Sequence, residues 1–139
     1  MVEKLTGRDF KLLLFPCNQF LSQEPEMPTN ETIEKMSQGK MVNVKDNPHV
    51  IVFEKVEVNG ENAHPVFEFL KYNSSLYNET QDTVTPISWN FAKFLVEPSG
   101  GVYSYYIPKA DPSTITPDVE KLLDGGLKGT PVRPPPKQS

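Results

Sequence analysis

The side chains best able to do chemistry cluster early, in Phe15-Pro16-Cys17-Asn18-Gln19-Phe20-Leu21-Ser22-Gln23-Glu24-Pro25. This run follows Phe10-Lys11-Leu12-Leu13-Leu14, which is too short for a helix and reads as a buried strand over residues 10–15. Pro16 ends that strand and Asn18 favours a turn, so polar side chains come to the carboxyl edge of a sheet, where open α/β folds place their sites. Cys17 is the one cysteine, which excludes an intrachain disulfide and a cysteine-based metal site. No basic residue adjoins it to favour the thiolate, so it reads as a small apolar packing residue. His49 and His64 lack ligand spacing and read as structural. Taken singly, Gln23 is a loop residue, Trp89 a core aromatic in an aromatic strand, and Asn90 a strand-end cap.

The chain that must position these groups has 139 residues, enough for one domain with a modest core. Its hydrophobic fraction of 37% is low, diluted by 14 prolines and a polar end. The net charge of −4, with Lys and Arg scattered, gives no nucleic-acid footprint. No apolar run approaches the roughly 20 residues of a membrane span, and residues 1–4 lack the apolar core of a signal peptide.

Along the chain, Thr29 or Asn30 caps a first helix with Glu31 and Glu34 in its opening turn and Gly39 at its end. Residues 50–58 are β-rich and close at Asn59-Gly60. A second helix starts at His64 or Pro65 with Val66, Phe67 and Leu70 on one face. Residues 72–86 read as a polar loop, and 87–96 as a strand turned by Glu97-Pro98-Ser99-Gly100-Gly101 into a partner over 102–107. A last helix begins at Thr116-Pro117-Asp118, carries Val119, Leu122 and Leu123, and stops at Gly125-Gly126. Beyond Leu127, Pro134-Pro135-Pro136 marks a disordered or polyproline-like tail.

Three segments together resemble the glutathione peroxidase family: the 15–25 run, Val58-Asn59-Gly60-Glu61-Asn62-Ala63-His64-Pro65, and Trp89-Asn90-Phe91-Ala92-Lys93-Phe94-Leu95-Val96. The resemblance runs from about Leu12 to Leu123. It implies an α/β, thioredoxin-like fold entered part-way, with a partial domain over 1–126 and the tail over 127–139. The family's central first strand and first helix, with the selenocysteine or cysteine between them, would then precede Met1. Selenocysteine is encoded by a codon ordinarily read as a stop, which would explain a reading that opens at Met1. The strands flanking the missing one would be left with open edges.

Activity follows from the same resemblance: reduction of hydrogen peroxide or organic hydroperoxides by a thiol donor, an antioxidant role in oxidative stress. A thiolate or selenolate would attack the O–O bond. The resemblance assigns Gln23, Trp89 and Asn90 to hold that anion, since all three donate hydrogen bonds and none titrates. Trp89 and Asn90 lie 66 and 67 positions beyond Gln23, so only the fold can join them. No cofactor is implied; glutathione or another thiol is the reducing co-substrate, and the partners are the hydroperoxide and that thiol, with oligomeric state open, a homo-oligomer included. Residues 32–37 lack the resolving cysteine of thioredoxin-dependent members, while Tyr103, Tyr105 and Tyr106 stand where glutathione-preferring members carry arginines; Lys40 and Lys45 read as solvated surface cations, with charge for glutathione carboxylates as the alternative. The competing reading is a catalytically dead fragment or isoform that binds a partner. Asn30-Glu31-Thr32, Asn73-Ser74-Ser75 and Asn78-Glu79-Thr80 each match the N-glycan acceptor pattern, and point to a secreted protein over a cytoplasmic one.

Overall fold

Two leucine- and valine-rich triplets open the architecture. In the computed structural model, which describes residues 7–17, 19, 48–88, 91–126 and 129–132, β1 (Leu12–Leu14) pairs in parallel with β2 (Val50–Val52), in the register Leu12↔Val50, Leu13↔Ile51, Leu14↔Val52. A parallel pair needs a crossover far longer than a hairpin turn, and the 35 intervening residues supply it. The chain falls into two units, residues 1–56 and 57–139.

In the first unit β1 is shorter than the six residues expected, because its ends bond elsewhere. Phe10 N–H donates to Arg8 O at 3.1 Å, its carbonyl meets His49 Nδ1 at 3.1 Å, and Pro16 has no N–H to give. His49 stacks on Phe10 with ring centroids 4.5 Å apart, and Phe15 stacks on Phe53 at 4.3 Å. The β-rich reading of 50–58 likewise contracts to Val50–Val52. Past it the two segments still exchange bonds, Phe53 N–H to Leu14 O at 2.9 Å and Val56 N–H to Pro16 O at 2.9 Å.

The second unit carries its own core of Val58, Ala63, Phe67, Leu70, Leu76, Ile87, Val102, Ile115, Val119 and Leu122. Helix α1 (Pro65–Tyr72) starts as expected, with His64 Nδ1 accepting from Val66 N at 3.2 Å. Its buried stripe is Phe67, Leu70 and Lys71, spaced i, i+3, i+4; Val66 falls on the flank and is exposed, contrary to its expected place on the apolar face. The expected loop over 72–86 contains a hairpin, β3 (Tyr77–Asn78) against antiparallel β4 (Thr83–Val84). Tyr77 Oη donates to Asp82 Oδ1 at 2.7 Å across its turn, and Tyr72 meets Tyr77 edge-on at 4.3 Å.

Among the described residues, the strand expected over 87–96 is found only as β5 (Lys93–Val96), which pairs with β6 (Val102–Tyr106). Phe91, two residues before β5, has φ 69°, a left-handed backbone that no strand residue adopts. Phe67, Phe94 and Tyr105 form an aromatic row under the hairpin. Helix α2 (Thr116–Leu123) buries Thr116, Val119 and Leu122. It ends as the double glycine predicts: Gly125, at φ +90°, donates to Leu122 O at 3.1 Å and Gly126 to Lys121 O at 2.8 Å, satisfying two terminal carbonyls.

Two residues of the segment expected to be disordered or polyproline-like, Gly129 and Thr130, are bonded to the β5–β6 turn. Glu97, 2% exposed at the β5–β6 turn, accepts the N–H of Gly129 on Oε1 at 3.1 Å and that of Thr130 on Oε2 at 3.0 Å. A Cβ at Gly101 would collide with Thr130 O, so this crossing requires glycine. No helix among the described residues is long and apolar enough to cross a membrane.

Candidate active site

Gln23, Trp89 and Asn90, the three residues assigned to the nucleophile, lie outside the described residues, as do Lys40, Lys45 and the first expected helix. The structure does describe what adjoins them in the chain. Cys17 is buried, 8% exposed, with Sγ 3.6 Å from Gln19 Oε1, a weak contact at the end of β1 that fits a packing role.

Two residues ahead of Trp89, the backbone is gripped by a side chain from the second segment of the resemblance. Asn59 Nδ2 donates to Ile87 O at 2.8 Å, and Ile87 N–H donates to Asn59 Oδ1 at 2.8 Å. The amide thus replaces a strand partner for Ile87, which is 3% exposed and could not leave these groups unpaired cheaply. Lys71 Nζ adds a donor to Asn59 Oδ1 at 3.4 Å; burial pulls this ammonium below the ordinary lysine range, and Glu68 partly restores it. The sequence marks Asn59-Gly60 as a turn, and Gly60 does take φ +86°, but the asparagine's main work is this clamp.

On the other side of Asn90, Phe91 is 63% exposed and left-handed, a conformation costing about 1–2 kcal/mol for a side chain with a Cβ. Such outliers gather at functional sites. Lys93 then ties β5 down, with Nζ donating to Pro108 O at 2.9 Å and Ala110 O at 2.6 Å; burial lowers its pKa, and Asp111 opposes that. Two of the three tyrosines of β6 are tied down differently. Tyr106 Oη donates to Asp118 Oδ2 at 2.6 Å and Tyr105 packs on Phe94, both phenols raised above the ordinary range chiefly by burial. Neither the Asn59 clamp nor the Phe91 backbone has a signal in single residues. The clamp has one only through the shared placement of Asn59 and Trp89 in two segments of the same resemblance.

The histidines take structural positions. His49 accepts Gly7 N–H on Nε2 at 3.3 Å and contacts Phe10, and His64 caps α1. Among the described residues no group of His, Cys, Asp and Glu could hold a metal ion.

A family model described as glutathione peroxidase matches residues 1–71. A probable phospholipid hydroperoxide glutathione peroxidase 6, mitochondrial, of Arabidopsis thaliana is 40% identical over 124 residues, 88% of this chain and 48% of its own length. Glutathione peroxidase 1 of Helianthus annuus is 42% identical over 120 residues, 86% of this chain and 65% of its own. This chain therefore spans about half the length of the first and under two thirds of the second. Among solved structures, T. cruzi GPX1 matches at TM-score 0.57 and 27% identity, over 90% of this chain and 67% of that one. The structure titled Trgpx in apo form matches at TM-score 0.58 and 25% identity, over 88% and 63%. These neighbours carry the thioredoxin-like fold, so the fold class expected from the resemblance holds. With the family model covering residues 1–71 of 139, this chain belongs to the glutathione peroxidase family.

Proposed function

We propose that this chain is part of a peroxidase that reduces hydrogen peroxide or organic hydroperoxides at the expense of glutathione or another thiol, in defence against oxidative stress. Family membership carries this reading: the family model's residues 1–71 include Gln23, and the matches to relatives over 86–88% of the chain extend to Trp89 and Asn90. In the reaction a thiolate or selenolate, contributed by a segment the resemblance puts ahead of Met1, attacks one peroxide oxygen. A chalcogen–oxygen bond forms, the O–O bond breaks, and the departing alkoxide or hydroxide takes up a proton. Two thiols then return the oxidised nucleophile to its starting state, leaving water and a disulfide. The side chains of Gln23, Trp89 and Asn90 donate hydrogen bonds to the anion and favour it over its protonated form.

The fastening of Ile87 by Asn59 supports this assignment, because it anchors the chain two residues before the tryptophan. The test is a chimera in which the amino-terminal part of the Helianthus annuus relative is joined ahead of Met1. Peroxide-dependent thiol oxidation by the chimera, and its persistence in Cys17→Ser, is the expected result. No turnover from a folded chimera would overturn the reading, and loss of turnover in Cys17→Ser would shift the nucleophile to Cys17.

A further inference from the structure

Two of the three glycan acceptor triplets lie in residues 73–80, and the structure separates them. Asn73 follows the last residue of α1 and is 5% exposed. Its Nδ2 and its backbone N–H both donate to Phe69 O at 3.0 Å, closing the helix end. Ser74 within the same triplet is engaged too, donating to Lys71 O at 3.0 Å and accepting from Leu76 N at 3.3 Å. A sugar on Asn73 would have no way out of this site while the helix end stays closed.

Asn78 differs in every respect. It ends β3 at an exposed hairpin, and Glu79 and Thr80 beyond it are exposed as well. Its Oδ1 accepts Gln81 N–H at 3.1 Å, a bond that the amide keeps after its nitrogen is substituted. Among the described residues no hydrogen bond engages Asn78 Nδ2. The hairpin is pinned by the pairs Tyr77↔Val84 and Asn78↔Thr83 and by Tyr77 Oη to Asp82, so the triplet is presented on a built element.

We propose that Asn78 is an N-glycan acceptor and Asn73 is not, and that the folded, secreted protein carries a glycan on its β3–β4 hairpin. The reaction takes a lipid-pyrophosphate-linked oligosaccharide as donor. A bond forms between its anomeric carbon and Asn78 Nδ2, the anomeric C–O bond to phosphate breaks, the lipid pyrophosphate leaves, and Nδ2 gives up one proton. Thr80 supplies the hydroxyl that acceptor recognition requires. If transfer precedes folding, the outcome is the same: a glycan at Asn78 is compatible with the finished hairpin, whereas one at Asn73 blocks the end of α1. This assignment is independent of the peroxidase reading.

The experiment uses the full chain behind a cleavable secretion signal in cultured eukaryotic cells. Secreted protein is treated with peptide N-glycosidase in heavy-oxygen water, which marks each glycosylated asparagine as labelled aspartate. Label at Asn78 and none at Asn73 is expected, with Asn78→Gln and Thr80→Ala abolishing the mass increment and Thr80→Ser retaining part of it. An unlabelled Asn78 in folded, secreted protein, or label at Asn73, overturns the acceptor assignment. The same treatment of protein taken from its native cells tests the secretory route, and Asn78 unlabelled there overturns that part.

Discussion

The parallel pair β1–β2 and the hairpin β5–β6 are both two-stranded, yet they are held in different ways. In the parallel pair the strands are three residues each, and the register partners Leu13 and Ile51 are 46% and 42% exposed, with Phe53 beside them at 36%. Its ties are backbone bonds, ring stacks and two side-chain bonds at the strand starts, Lys11 Nζ to Pro48 O at 2.6 Å and His49 Nδ1 with Phe10 O at 3.1 Å. The hairpin is fixed by side chains at every corner: Lys93 on two carbonyls, Tyr106 on Asp118, and Glu97 on two N–H groups some thirty residues away. A short strand pair contributes little by its own ladder; what surrounds it decides its stability. The hairpin therefore depends on a few polar residues, and the parallel pair on none that its exposed apolar face displays.

The largest effect is expected where the hairpin's ties are most buried. Glu97→Ala leaves the N–H groups of Gly129 and Thr130 without their acceptor and should cost about 3 kcal/mol, read by chemical denaturation of the chain. Gly101→Ala should give a loss of roughly 1–3 kcal/mol by a different route, since its Cβ meets a backbone carbonyl that cannot yield without opening the clamp. Losses below about 0.5 kcal/mol in both would erase the contrast between the two regions.

A smaller change is expected at Tyr106. Phenylalanine there removes a donor to a carboxylate and should cost about 1–1.5 kcal/mol near neutral pH. Burial first, and the bond to Asp118 second, raise the folded phenol above its ordinary value near 10. A raised pKa means that the folded state holds the proton longer than the unfolded chain. The contribution is thus fully present below about pH 10 and is lost as pH climbs from there through the folded value. Denaturation midpoints between pH 8 and 11 should fall more steeply for the parent chain than for Tyr106→Phe, and parallel curves would remove the bond from the account.

The smallest effect belongs to the parallel pair. Leu13→Thr and Ile51→Thr, exposed partners in one register, should each change stability by less than about 0.5 kcal/mol. A loss of 2 kcal/mol or more, measured the same way, would mean that this face is covered in solution and that the two regions are less different than their exposures indicate.

What the sequence discloses about this molecule follows the range over which each signal acts. Helix α1 is legible because its cap, its proline and its apolar spacing lie within nine residues, and α2 because the double glycine meets a local requirement for a left-handed turn. The β3–β4 hairpin escapes because two-residue strands show no alternation, and its closure rests on Tyr77 reaching Asp82. Residues 87–92 read as strand by their apolar content, whereas Phe91 turns the backbone left-handed. The bonds from Glu97 to residues 129 and 130 join positions that no local pattern connects. The candidate trio is legible only through the family resemblance, since a glutamine, a tryptophan and an asparagine this far apart carry no periodic signal of their own.

The most direct measurement of the central claim is stopped-flow reduction of a hydroperoxide by the chimera carrying Gln23→Ala, Trp89→Phe or Asn90→Ala. On the proposed roles each substitution removes one hydrogen bond to an anionic nucleophile, worth about 1.5–3 kcal/mol, and should slow the oxidation step roughly tenfold to a hundredfold while leaving the fold intact. Rates equal to those of the unsubstituted chimera in all three variants would contradict the assignment of these residues to the peroxidase site.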